Sequence, residues 1–368
     1  MRAIRQIYLL FTACVAWLKS ATRYLAAIAV TCFAMLGGRA EACMVCIPFP
    51  EDTATDQLLQ ADVVVRAREN PDKPFSYVAV EVLKGELGDP RIDLFIDSTT
   101  RRRLALNPEQ SVLLTFSDAT RDWRSAGYAT PTYEALAGEI LAREADWEQW
   151  GQEENRARFF LPYLDDADRV VRELAYLEVG RASYETIRRA DPFVPAAQVH
   201  RFLATPQYFE WHALYILLLG VDAKADEKKM IRAKLASLAK FDQKRNLSAW
   251  ATALIEIDGE QAIDWLEATY LGVPDRDPKV VQEIAKALSV HGALQQSGLR
   301  QRIAKSYGVL IQAHPSLAGW AARDLTAWRD WRFAREIRAV RESRMPIDGA
   351  TAYAIDYYVG RAQSAVSN

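Results

Sequence analysis

Two cysteines three residues apart, Cys43 and Cys46, stand in the stretch "EACMVCIPFPED" over residues 41–52. A C-x-x-C pair can form a disulfide, hold a metal or exchange thiols. Thioredoxin-type exchange needs a helix directly after the pair, because the helix N-terminus lowers the thiol pKa. Here Pro48 and Pro50 follow, and each favours extended backbone before it. The pair therefore reads as a local disulfide that pins the chain start, with a redox or metal role as the alternative. No cysteine follows Cys46, and Cys14 and Cys32 fall in the N-terminal segment read below as a signal, so in the mature chain oxidation joins these two or links two chains. Other chemistry-bearing residues do not assemble. None of the four histidines, His200, His212, His291 and His314, has the i,i+4 partner of a helical zinc site. "YLDDADR" groups Asp165, Asp166 and Asp168 but lacks the glycine and bidentate glutamate of a calcium loop, so it reads as a helix start. There is no G-x-S-x-G elbow and no phosphate-binding G-x-x-x-x-G-K-[ST] loop. No catalytic set, metal site or cofactor is expected. The arginine-rich run "AWRDWRFAREIRAVRES" offers Arg335, Arg338 and Arg341 as the candidate partner-contact strip.

What precedes the cysteines gives them their position. Lys19 to Ala42 runs from a cationic start through an apolar core to "RAEA", with Ala40 and Ala42 at the small-residue positions of a signal-peptide cleavage site. Cleavage there makes Cys43 the first residue of a mature chain of about 326 residues, enough for two domains. A spanning helix needs about 20 apolar residues, and neither N-terminal run reaches that without crossing a charge. Glu41 occupies a position where a lipoprotein signal wants a small residue. An exported protein, periplasmic or secreted and with no membrane span in its mature form, is expected; an uncleaved N-terminal anchor is the alternative. The net charge of −2 argues against nucleic acid as a partner, since phosphate binding relies on a basic patch.

The chain changes period near residue 130. Before it, "ADVVVRAR", "FSYVAVEVLKGE", "RIDLFID" and "SVLLTF" read as strands separated by turn residues. In the second, Tyr77, Ala79 and Glu81 share one face and Val78, Val80 and Val82 the other. A cysteine at the mature N-terminus, prolines after it, then "ADVVVRARE" and "YVAVEVLKGE" resemble the netrin-like domain, the family that includes the tissue inhibitors of metalloproteinases. The resemblance covers about residues 43 to 118. It implies a five-stranded OB-fold barrel, and it implies that Cys43 matches the residue whose amine and carbonyl chelate a protease zinc. The C-x-x-C spacing and the lack of later cysteines depart from those inhibitors.

Beyond Tyr133 the pattern is helical. "DADRVVRELAYLEVG" and "DPKVVQEIAKALSVHG" each place an aspartate before a Val-Val pair and a glycine at the end, a cap-and-stop signature. This resembles a HEAT-like repeat. "YFEWHALYILLLG", "NLSAWATALIEIDG" and "EQAIDWLEATYLG", each ending in glycine, lie between. The expected fold is α+β and multidomain: a signal peptide over 1–42, a small OB-like β-barrel over 43–130 and an all-α HEAT-like solenoid over 136–365. Such arrays present an extended concave face. The functional expectation is an exported, non-catalytic binding or scaffolding protein of the cell envelope, its partner an envelope protein or glycan. The alternatives are an enzyme with a metal- or thiol-dependent site at the mature N-terminus, or a protease inhibitor by the netrin-like resemblance.

Overall fold

A computed structural model describes residues 52–107, 110–147, 152–189, 194–294, 298–343 and 345–367. Ala40, Ala42, Cys43 and Cys46 lie outside these residues. The fold is mixed α and β. Five antiparallel strands, β1 (Val63–Glu69), β2 (Ser76–Lys84), β3 (Ile92–Phe95), β4 (Ser111–Ser117) and β5 (Asp122–Ala129), lie in the order β3-β2-β1-β4-β5. The sheet curls until β3 touches β5. Helix α1 (Ala54–Gln60) precedes it and α2 (Ser98–Leu106) joins β3 to β4.

The first four strands are the alternating segments of the sequence. The fifth and α2 are additions. Strand β5 buries Trp123, Ala126 and Ala129, a three-residue rhythm unlike the two-residue alternation of a regular strand. The cause is a bulge: Leu113 faces Gly127 and Leu114 faces Ser125, so Ala126 has no partner across the ladder. Helix α2 is set by Asp97, whose carboxylate accepts from the backbone N–H groups of Thr99 and Thr100 at 2.9 and 3.0 Å.

The two sheet faces pack differently. Val63, Val65, Ala67, Val112 and Leu114 form a small core with Ile96 and Leu104. Val64, Leu113 and Ala126 point the other way, against Leu58 of α1 and against Tyr133, Leu136 and Ile140 of α3 (Pro131–Leu141). That second core continues without a break into the helices. On β2, Tyr77 is buried while Val78, Val80 and Val82 are exposed.

After α4 (Glu144–Trp147) come α5 (Glu153–Phe160), α6 (Arg169–Gly180), α7 (Tyr184–Arg189) and α8 (Ala196–Ala204). A buried ionic cluster ties α1 to this region. Arg156 on α5 donates to Asp56 at 2.7 Å and to both carboxylate oxygens of Glu178 on α6 at 2.7 and 2.8 Å. Arg181 donates to Asp56, and the Thr53 hydroxyl donates to Glu178. Burial pushes the Asp56 carboxyl up, but Arg156, the Thr53 backbone N–H and Arg181 outweigh it and hold it below its usual range.

The remaining helices alternate between two rows. One row holds α9 (His212–Val221), α11 (Leu247–Asp258), α13 (Pro278–Ala293), α15 (Ala318–Ala327) and α17 (Gly349–Ser367), each packed on the next. The other holds α10 (Ala225–Lys240), α12 (Glu260–Leu266), α14 (Arg300–Ala313) and α16 (Ala334–Glu342). The anticipated caps are present: Asp168 accepts from the Val170 N–H and Asp277 from the Lys279 N–H. Several anticipated glycine stops are something else. Gly220 and Gly292 lie inside α9 and α13, where a Cβ would stand 2.8 Å from the Ala253 Cβ and 2.2 Å from the Trp328 ring. They permit close helix approach. Gly259, at a φ of +59°, does end its helix. No helix among the described residues is long and apolar enough to cross a membrane.

Candidate functional site

The residues singled out in the sequence scatter. Asp165 pairs with Arg201 at 2.5 Å, Asp166 accepts from the Asp168 N–H, and Asp168 caps α6. His291 is fully buried and makes a 2.9 Å hydrogen bond with the Thr252 carbonyl. His200 lies exposed beside Glu227 at 3.4 Å. Among the described residues no three of His, Cys, Asp and Glu converge on a point that would suit a metal ion. On α16, Arg335 projects into solvent beside Glu336, Arg338 is half-buried, and Arg341 pairs with Asp356 of α17 at 3.0 Å. The three therefore stand in three different environments. Trp328 and Trp331 face inward, stacked on Tyr307 and tilted against Tyr358.

What the structure does bring together lies on the other flank of α17. Ile355, Tyr358 and Ala362 form the buried stripe of this helix. Positions 353 and 357 fall nearly opposite Ile355 at 3.6 residues per turn, and they carry tyrosines. Tyr353 is 71% exposed and Tyr357 49%. Their rings are near-parallel, 16° apart in plane and 6.1 Å between centres. Across from them on α15 stands Trp320, with the Arg323 guanidinium over its ring at 4.5 Å. Between the two helices runs a groove of about 450 Å³ lined by Gly319, Trp320, Arg323, Thr351, Tyr353 and Tyr357.

Each wall is held by its own element. Gly319 lets α15 and α17 close up, since a Cβ there would stand 2.8 Å from the Thr351 Cα. Asp348 starts α17 by accepting from the Thr351 N–H and hydroxyl at 2.8 and 2.9 Å. Those two bonds hold its carboxyl below the usual range. Arg323 lies 3.7 Å from the carboxylate of Asp324, which is buried and accepts a 2.5 Å hydrogen bond from Tyr307. Both charges beside the groove are thus already engaged within the protein. The i,i+4 tyrosines in "TAYAIDYYVG" were the available signal for this site. Alone, such a pair is indistinguishable from core packing.

Two other surfaces are concave or aromatic. A cleft of about 910 Å³ at the sheet mouth, floored by Ile92 and Trp123, is rimmed by charges that include Asp89, Arg91, Asp118 and Arg121. Hydrogen bonds from Arg91 bring the Asp89 carboxyl down to about 2. Phe75 and Phe95 stack at 5.5 Å, with the Arg101 guanidinium over Phe75 at 4.4 Å. No family model, curated protein or solved structure matches this chain.

Proposed function

We propose that the chain is an exported, non-catalytic binding protein of the cell envelope. The observation that carries the reading is the groove between α15 and α17. Its aromatic rings are displayed to solvent on rigid helices, and large rings that lose little conformational freedom on contact are the residues that anchor binding surfaces. The architecture fits such a role. Helices α9, α11, α13, α15 and α17 begin at residues 212, 247, 278, 318 and 349, a repeat of roughly 31–40 residues near that of HEAT-like arrays. Their two-row packing supports the solenoid reading, and solenoids bind extended partners along one face.

For the sheet, the order β3-β2-β1-β4-β5, the contact of β3 with β5 and the helix between β3 and β4 support the OB-like, netrin-like reading. The same support keeps protease inhibition through Cys43 as a second reading. Titrating a zinc protease with the exported chain tests it, and unaltered protease activity removes it.

The main reading predicts retention without turnover. Purified chain is co-sedimented with isolated envelopes and, in parallel, incubated with peptide and ester substrates. Retention with intact substrates is expected. Hydrolysis without retention would transfer the case to the enzyme. N-terminal sequencing of the exported form should return an unacylated Cys43; Met1 or a lipid would overturn that part.

A further inference from the structure

We infer that the α15–α17 groove binds an uncharged carbohydrate chain, a proposal that rests on the binding reading and names its ligand class. Three properties of the groove select the ligand. The first is aromatic surface. Tyr353 and Tyr357 lie one helical turn apart with their rings stacked, 6.1 Å between centres, and Trp320 lines the same groove. A pyranose ring has an apolar C–H face that lies against an exposed aromatic ring.

The second is charge. The groove holds one guanidinium and one carboxylate at its margin. Arg323 is engaged by Trp320 and Asp324, and Asp348 by Thr351. Neither is set to neutralise a phosphate, and among the described residues Asp348 is the one carboxylate that lines the groove, short of the pair that would hold a quaternary ammonium, which also favours aromatic faces. A neutral ligand satisfies both constraints.

The third is the polar fringe. Thr326, Thr351, Arg323 and Asp348 follow the groove edge. The Thr326 and Thr351 hydroxyls donate to the Ala322 carbonyl and to Asp348, and their oxygens can still accept from hydroxyls at the rim of a sugar; the small residues Gly319, Ala350 and Ala354 line the same groove. A few polar groups around an apolar surface is the usual composition of a site for such a ligand.

The test uses the full chain. Binding of chitohexaose and cellohexaose is measured by calorimetry, and binding of protein-free peptidoglycan sacculi by co-sedimentation. The comparison is the double variant Tyr353→Ala/Tyr357→Ala, whose rings are exposed and whose thermal melt should be unchanged. Binding to at least one of the two neutral oligosaccharides is expected, weakened by about tenfold or more in the double variant. Raising salt to about 0.5 M should leave it intact, because no ion pair is formed. Binding to neither oligosaccharide, binding to the charged sacculi alone, or equal binding by the double variant overturns the inference. A companion arm sediments the chain with whole envelopes. Retention lost after protease treatment of the envelope, with none on sacculi, means a protein partner: the carbohydrate inference fails and the binding reading stands. No retention on whole envelopes removes the binding reading itself.

Discussion

Arg156 joins two carboxylates that are far apart in sequence, Asp56 and Glu178. The Glu178 side chain is fully buried, so removing its main counter-charge leaves an anion in a poor solvent. Arg156→Ala should cost about 3 kcal/mol in urea unfolding. Glu178→Gln keeps the shape, trades one acceptor oxygen for a donor and leaves Arg156 paired with Asp56, so it should cost less. His291 gives a pH signature. Burial drives its imidazole down to about 4, against 6.5 for the free side chain. Below pH 6.5 the unfolded chain takes up a proton that the folded chain refuses, so stability falls as pH drops from 6.5 towards 4. The loss approaches about 3 kcal/mol at the lower end. Unfolding midpoints across that window should slope clearly in the native chain and more weakly in His291→Gln. Single residues were legible where their partners are local. Asp168 and Asp277 announce helix starts because a cap acts on residues two or three away. The arginine partners of Asp56 lie 100 and 125 residues off, and no spacing rule reaches that far.

At the scale of elements, the contact between α15 and α17 depends on Gly319. A methyl group there meets the Thr351 Cα at 2.8 Å and the Cγ2 and Cβ of the same short side chain at 2.9 and 3.1 Å, so little can swing away. Gly319→Ala should therefore push the helices apart and destabilise by about 1–3 kcal/mol. Hydrogen exchange should quicken in α17 while the chain stays folded. Periodicity made the four alternating strands legible, and with them the segments that form α6, α9, α11, α12 and α13. It failed for β5 because the bulge opposite Leu113 and Leu114 breaks the two-residue rhythm on which strand reading relies. It failed for α2 because only Thr100 and Leu104 of that helix are buried, too few to print a pattern. The interior glycines misled for a related reason: a stop signal and a close-approach signal are the same letter.

Across the whole molecule, the sheet and the helices share a core through Val64, Leu113 and Ala126. The change of period near residue 130 was legible, whereas this shared face was not, because pairing between strand and helix leaves no periodic trace. A fragment of residues 136–368 should still give a strongly helical circular dichroism spectrum, since its rows of helices contact one another locally. It should melt earlier than the full chain, having lost the sheet face and α1. A predominantly β spectrum would refute the solenoid reading. An unchanged melting temperature would mean that the shared face adds nothing.

The ionic latch on α1 also has a consequence in time. A ribosome or a translocation pore delivers this chain from its N-terminus, so Thr53 and Asp56 emerge well before Arg156, Glu178 and Arg181. Until residue 181 is out, α1 can rest Leu58 on the sheet and α3 but lacks its counter-charges. Its ionic fastening therefore trails its apolar docking, because a contact closing so long a loop forms late. Over that interval α1 is held by apolar contact alone, with Asp56 still lacking its arginines, and the arrival of Arg181 closes the interval.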